Sequence, residues 1–379
     1  MPKVSVIMPS LNVGQYIKQC IDSVCNQTLK DIEIICVDAG STDGTLEILE
    51  KYASLDPRIT LINSDKRSYG YQMNLGIKAS SGEYIGIIET DDYADPMMFE
   101  KLYSFAKSEN ADIVKSNQYR HSDEGDEFFE VYANLPYNKV FCPKDHLSIF
   151  MRVAQIWAGI YRRKFLIDND ICFLETPGAS YQDEGFMMKG MISADRVGLL
   201  KDAFLHYRID NVNSSVKSKD KVFFVRDEFL SALDYLDMRP DKKKYYEKIL
   251  WTREAEKHAW NYNRLAEEFK YGYLADIQHR FQEGLNKDLF LRSHLSWRIW
   301  KMVTEVSENP LIYMRNNCSK ETFKSLLKDS SIKKPSKSAF ARWHRNEKLR
   351  LIPQTIIDFF SFVNHYGLRY CLTYVLKYK

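Results

Sequence analysis

Apolar and polar positions run in alternating blocks through the first half of the chain. Val4-Ser5-Val6-Ile7-Met8 is a short β-rich run stopped by Pro9-Ser10. Ile17, Cys20, Ile21 and Val24 then recur at helical spacing, which predicts a helix over 15–26 with one buried face. Ile32 to Val37 reads as a second strand, and the helix after it carries Leu46, Leu49 and Ala53. A third strand over 59–62 and a helix over 72–79 lead into Tyr84-Ile85-Gly86-Ile87-Ile88, a continuous apolar run that suits a strand buried on both faces. Strand, loop and helix repeat in this order, so the fold class is α/β with a mostly parallel, doubly wound sheet. In such a sheet the loops after the first, second and central strands converge on one crevice at the strands' carboxyl ends.

Those loops carry the candidate chemistry. The central strand ends in Glu89-Thr90-Asp91-Asp92, three carboxylates within four residues, with Pro96 beyond. Clustered carboxylates repel one another, and oxygen ligands suit Mg²⁺ or Mn²⁺. The competing reading is an acidic turn in which Asp92 or Asp95 caps a helix starting near Pro96. The second loop, Asp38 to Gly44, has two glycines for a tight turn and close backbone approach, with Ser41, Thr42 and Asp43 as helix caps.

Composition narrows the class. Of 379 residues, 45% are apolar and 28% charged, as in a globular protein with a sizeable core. Net charge is +3, unevenly spread. From Cys318 onward nine Lys and four Arg face four carboxylates, so a tail of +9 follows a body of about −6. Met1-Pro2-Lys3 leads straight into a strand without a signal peptide, and no window holds 18 apolar residues. The seven cysteines (20, 25, 36, 142, 172, 318, 371) lack a CxxC pair, which points to reduced thiols in a cytoplasmic setting rather than zinc.

Taken in order, Val4 to Asn12, Ile35 to Thr45, Asn74-Leu75-Gly76-Ile77, Gly82 to Asp92 and Pro177 to Phe186 make this sequence resemble a family 2 glycosyltransferase of the GT-A fold, over roughly residues 3 to 216. The resemblance implies a Rossmann-like catalytic domain and an inverting transfer from a UDP-sugar. It implies a donor site formed by Pro9, Ser10, Asn12, Asp38, Gly40, Ser41, Asn74, Glu89, Thr90, Asp91 and Arg208. Pro9 and its neighbours wall the base, and Asp38 accepts from the uracil ring N–H; its alternative is a helix cap. Asp91, with Asp92 and His206, is the implied Mn²⁺ or Mg²⁺ site, and Glu89 lies nearer the ribose. His206 could equally be a packed aromatic neighbour.

Asp183 stands where the family has its general base, taking the proton of the acceptor hydroxyl. Glu184 is the rival one residue away, and both could simply be first-turn acids of a helix. Trp157, Gln182 and Glu184 fall on the acceptor side. Three positions depart from the family pattern: Ala39, Glu89 and Gln182. They are what favours the rival reading, a sugar-nucleotide-binding scaffold in a polysaccharide assembly complex.

The acidic stretch Asp123 to Glu127 reads as a solvated loop. From Ser218 the pattern turns helical and aromatic. The division expected is a catalytic domain over 1–216, a helical appendage over 217–317 beside the acceptor site, and a basic amphipathic tail over 318–379. Lys333 to Lys337 reads as a linker within that tail. Arg342-Trp343-His344-Arg345 and the apolar face from Ile356 to Leu376 suit either an anionic membrane surface or packing on the body. No nucleic-acid motif accompanies the charge. The expected partners are thus a UDP-sugar, an oligosaccharide or lipid-linked glycan acceptor, and through the tail the inner face of the cell membrane.

Overall fold

The first apolar run becomes the middle of a sheet. The computed structural model describes residues 1–179, 181–211, 219 and 221–335. In chain order its elements are β1 (Val4–Ser10), α1 (Ile17–Cys25), β2 (Ile32–Asp38), α2 (Thr45–Leu55), β3 (Ile59–Asn63), α3 (Tyr69–Ala79), β4 (Tyr84–Ile87), β5 (Tyr93–Ala94), α4 (Met98–Ser108), β6 (Ile113–Ser122), β7 (Gly125–Phe129), β8 (Val140–Phe141), β9 (Gly159–Arg162), α5 (Arg163–Asp168), α6 (Gln182–Ser193) and β10 (Val197–Arg208). After β10 six α-helices complete the described chain: α7 (Phe224–Asp237), α8 (Pro240–Arg264), α9 (Glu267–Asn286), α10 (Trp297–Glu308), α11 (Pro310–Asn317) and α12 (Lys320–Lys328).

The sheet runs β3-β2-β1-β4-β9-β6-β10-β5, with β7 on β6 and β8 on β10. β3, β2, β1 and β4 are mutually parallel, β9 runs antiparallel to both β4 and β6, and β10 is parallel to β6. This is the expected mostly parallel α/β sheet, followed by C-terminal helices. All seven residues of β1 are buried. Helix α1 turns Ile17, Cys20, Ile21 and Val24 inward, and each such aliphatic side chain removed from water contributes about 1.5–3 kcal/mol. Gly76 lets α3 lie close on β1, for a Cβ there would sit 2.5 Å from Cγ2 of Ile7.

Element ends differ from the apolar pattern by a few residues. Helix α3 starts at Tyr69 rather than 72, because Ser68 caps it by accepting from the Tyr71 N–H. Helix α4 starts at Met98, whose N–H bonds the Asp95 carbonyl. The stretch 123–127 corrects the expectation of a loop: it is the turn of the β6–β7 hairpin and the first three residues of β7, with His121 paired to Asp126. Its acidic composition reflects an exposed edge strand.

The chain divides into two compact units, 1–216 with 230–242, and 217–229 with 243–379. The first contains the whole sheet. Within the second, Glu254 and His258 of α8 are fully buried; Glu254 pairs with Arg280 at 2.7 Å and His258 with the Tyr273 hydroxyl at 2.6 Å. Among the described residues no helix is long and apolar enough to cross a membrane. The basic aromatic cluster and apolar face at 342–376, and Ser180, lie outside the described residues.

Candidate active site

Parallel register brings the first two strand ends together, Ser10 beside Asp38. The loops beyond are then stitched. Asn12 N–H donates to the Ser41 hydroxyl at 2.9 Å, Thr42 N–H to Asn12 Oδ1 at 2.8 Å, and Gly14 N–H to Asp43 Oδ2 at 2.8 Å. The Thr90 hydroxyl donates to the Pro9 carbonyl at 2.7 Å, tying the carboxylate loop after β4 to the end of β1. Gln72, buried on α3, donates to the carbonyls of Ser10 and Val37 at 2.9 and 2.7 Å.

These loops wall a cleft of about 410 Å³ within the first unit. Of the residues expected at the site, Pro9, Ser10, Asn12, Glu89, Thr90, Asp91, Trp157, Gln182 and Asp183 line it. Asp183 sits in the first turn of α6, whose preceding residue Tyr181 has φ +67. That loop is fastened to the start of α3: Gly178 N–H donates to the Arg67 carbonyl at 2.8 Å, and Tyr69 N–H to the Gly178 carbonyl at 3.0 Å.

The cleft is acidic. Asp43, Glu89, Asp91 and Asp183 line it against one guanidinium, that of Arg67. Glu89 Oε1 accepts from the Tyr69 hydroxyl at 2.6 Å, and Asp91 Oδ2 from the Asn211 amide at 2.8 Å. Burial, and then the neighbouring Asp91, push the Glu89 carboxyl up to about 8, against the opposing pull of Tyr69. Asp92, 2% exposed, is driven well above the carboxylate range by burial and then by Asp91. Its Oδ1 accepts the Arg208 N–H at 2.8 Å, and its buried Oδ2 has no hydrogen-bond partner among the described residues.

Other expected residues are not brought to the cleft. Asp38 is buried in its own loop. Its Oδ2 accepts from the N–H groups of Gly40 and Ser41 at 2.9 and 2.8 Å, and its Oδ1 from the hydroxyls of Ser41 and Ser10 at 2.5 and 3.1 Å. The carboxylate therefore holds the loop that Gly40 and Ser41 belong to; it does not cap α2, which starts at Thr45 behind Gly44. Asn74 joins α3 to the chain before α6 through Phe173, accepting its N–H and donating to its carbonyl, both at 3.0 Å.

His206 likewise does not line the cleft. Its ring stacks on Tyr93 at 4.3 Å and Tyr119 at 4.9 Å, and its Nδ1 lies 2.9 Å from Asp126 Oδ2. Asp126 also holds His121 at 2.8 Å. Arg208 does not line the cleft either. It donates to the Asp91 carbonyl at 3.0 Å and to Gln19 at 2.8 Å, with its guanidinium 4.7 Å above the Tyr16 ring.

On the far wall Trp157 is 8% exposed. Its ring stacks on Tyr207 at 5.2 Å and its Nε1 donates to Gln118 at 2.6 Å. Gln182 donates to Thr176 Oγ1 at 2.8 Å and the Gly178 carbonyl at 3.1 Å, bracing the loop before Asp183. Glu184 is 3% exposed and does not line the cleft.

Among the lining residues that sequence reasoning missed are Tyr69, Gln72, Arg67 and Asn211. None stands in a motif; the one available signal was that Arg67, Tyr69 and Gln72 surround the predicted start of α3.

A family model described as glycosyl transferase family 2 matches residues 5–168. The uncharacterized glycosyltransferase EpsJ of Bacillus subtilis is 35% identical over 225 residues, covering 56% of this chain and 62% of EpsJ. Glycosyltransferase GlyG of Streptococcus pneumoniae is 31% identical over 217 residues, covering 54% of this chain and 70% of GlyG. The chain thus spans less than two thirds of EpsJ's length. Among solved structures, S. aureus TarS 1–349 in complex with UDP-GlcNAc superposes with a TM-score of 0.64 at 20% identity, covering 82% of this chain and 90% of that one, a likeness of fold.

Proposed function

The chain belongs to glycosyl transferase family 2, and from that premise we propose that it is a metal-dependent, inverting glycosyltransferase moving a hexose or N-acetylhexosamine from a UDP-sugar to a hydroxyl of a glycan acceptor. The observation that carries this reading is the single cleft in which the Glu89–Asp91 loop and Asp183 both present carboxylates to a nucleotide-sized space. TarS, whose fold is alike, was solved with UDP-GlcNAc.

A divalent ion fits the residues present. Four carboxylates line the cleft against one guanidinium, and a diphosphate would add further negative charge. Among the described residues no group of three or more His, Cys, Asp or Glu side chains forms a ready metal cage. That suits an ion completing its shell with substrate phosphates and water, held by one or two carboxylates. Asp91 is the proposed ligand, and Glu89, on the same loop and lining the same cleft, is the second carboxylate toward the ion and the ribose. When bound, Mn²⁺ or Mg²⁺ supplies stabilisation of the charge growing on the leaving diphosphate. Arg67 adds the second positive charge on that side.

Asp183 is the proposed general base, accepting the acceptor hydroxyl's proton. Pro9, Ser10 and Asn12 wall the base of the nucleotide, and Asp38 acts from behind them by fixing their partner loop.

The test is calorimetric binding of UDP, GDP, CDP and dTDP, each with and without Mn²⁺. Metal-dependent binding of UDP that Asp91→Ala weakens is the expected result. Absence of nucleotide binding with metal present would overturn the reading.

A further inference from the structure

The two cleft-facing carboxylates of the 89–91 loop are each held from outside that loop by one neutral donor. Tyr69, the first residue of α3, gives its hydroxyl proton to Glu89 Oε1 at 2.6 Å. Asn211, three residues beyond β10, gives an amide proton to Asp91 Oδ2 at 2.8 Å. Both donors line the cleft themselves.

The choice of neutral donors matters because a cation is at hand. Arg208 runs beside the loop, yet its guanidinium goes to the Asp91 carbonyl, to Gln19 and to the Tyr16 ring, not to the Asp91 carboxylate. An arginine on that carboxylate would fix it and cancel its charge together. A phenol and an amide fix a carboxylate oxygen without adding a positive charge. Each carboxylate keeps its second oxygen outside that bond.

We propose that Tyr69 and Asn211 are positioning residues that orient Glu89 and Asp91 toward a divalent cation and its diphosphate while adding no positive charge to the loop. This rests on the metal-dependent reading above. Groups that orient metal ligands through hydrogen bonds typically change metal affinity by about 10–100-fold when removed.

The experiment is titration of the full chain with Mn²⁺ by calorimetry, in the presence of UDP, for the wild type and for Tyr69→Phe, Asn211→Ala and Asn211→Lys. Metal-free melting of each variant runs in parallel as the measure of folding. The expected result is Mn²⁺ binding about 10–100-fold weaker in Tyr69→Phe and Asn211→Ala. Asn211→Lys, whose ammonium would neutralise Asp91, should be weaker than Asn211→Ala. Variants that melt like the wild type and bind Mn²⁺ as tightly overturn this inference alone. A wild-type chain that binds no Mn²⁺ with UDP present overturns the metal reading, and this inference with it.

Discussion

Tyr69 and Glu89 share a 2.6 Å hydrogen bond that joins the first turn of α3 to the loop after β4. Twenty residues apart, they link the carboxylate loop to the start of α3, which Gly178 in turn ties to the loop before α6. Burial raises the Tyr69 phenol, and the negative charges of Glu89 and Asp183 add to it.

The Glu89 carboxyl gives a pH signature. Its folded-state value is pushed up to about 8 from 4.5, first by burial and next by Asp91. A raised carboxylate contributes stability fully below the unfolded value and loses it as pH climbs through the folded one, so stability should fall from about pH 4.5 to 8. Glu89→Gln removes this term. At pH 8 without metal the variant should melt higher than wild type, by about 2–4 °C for each kcal/mol recovered. Melting curves of the two proteins that stay parallel from pH 5 to 8 would contradict the assignment.

Asp183 and Glu184 separate cleanly. Asp183 lines the cleft, whereas Glu184 is 3% exposed and turned from it. Asp183→Asn should bind UDP like the wild type and transfer about 10²–10⁴-fold more slowly. Glu184→Gln should lower the melting temperature while leaving turnover per folded molecule near normal. The reverse pattern would move the base to Glu184.

Asp38 tests whether a buried carboxylate acts through its loop. Asp38→Ala leaves the N–H groups of Gly40 and Ser41 without their acceptor, at about 1–3 kcal/mol for the buried Ser41 donor. Differential scanning calorimetry without nucleotide should therefore show a lower melting temperature. An unchanged melting temperature combined with weakened UDP binding would instead make Asp38 a direct reader of the base.

What the sequence conveyed, and what it hid, follows from distance along the chain. The strands of the parallel half were legible because burial on both faces turns them into apolar runs, as in Ile32 to Val37 and Tyr84 to Ile88. The loops at their ends were legible because chain order and parallel register leave them one place to go. Strand β7 was hidden by its exposed, acidic edge position. His206 read as a possible ligand because its partner, Asp126, lies 80 residues away in a hairpin whose fold the local composition disguises. Asn211 was invisible for the same reason, its contact with Asp91 spanning 120 residues.

His206 yields a prediction of its own. Asp126 would be raised by burial, but contacts with His206 and then His121 outweigh that and hold it below its usual 3.8. A carboxylate depressed in this way contributes stability above its unfolded value and loses it as pH falls through the folded one. Each aromatic stack on His206 adds about 0.5–1.5 kcal/mol. His206→Ala should lower the melting temperature at pH 7 and leave Mn²⁺ affinity as it is. A loss of Mn²⁺ binding in a folded His206→Ala protein would return the residue to the metal shell.

Lys115 is the buried cation that the proposed chemistry does not use. From β6 its Nζ donates to the carbonyls of Ile156 and Trp157, and to the Tyr161 hydroxyl at 3.1 Å, with no exposed surface. Those contacts hold the turn where Ala158 takes φ +47 and Trp157 reaches the cleft wall. Burial drives the amine well below its ordinary 10.5, so its contribution to stability is full above that value and falls as the pH drops and the folded state must carry the buried charge. Lys115→Met should flatten the rise in stability between pH 7 and 10. The same change removes the donor that anchors the Trp157 carbonyl, so transfer to a glycan acceptor should show a raised acceptor KM with UDP affinity unchanged. A pH–stability profile identical to the wild type's would mean that the folded amine keeps its proton over that range as the unfolded one does, and an unchanged acceptor KM would mean that the turn holds Trp157 without it.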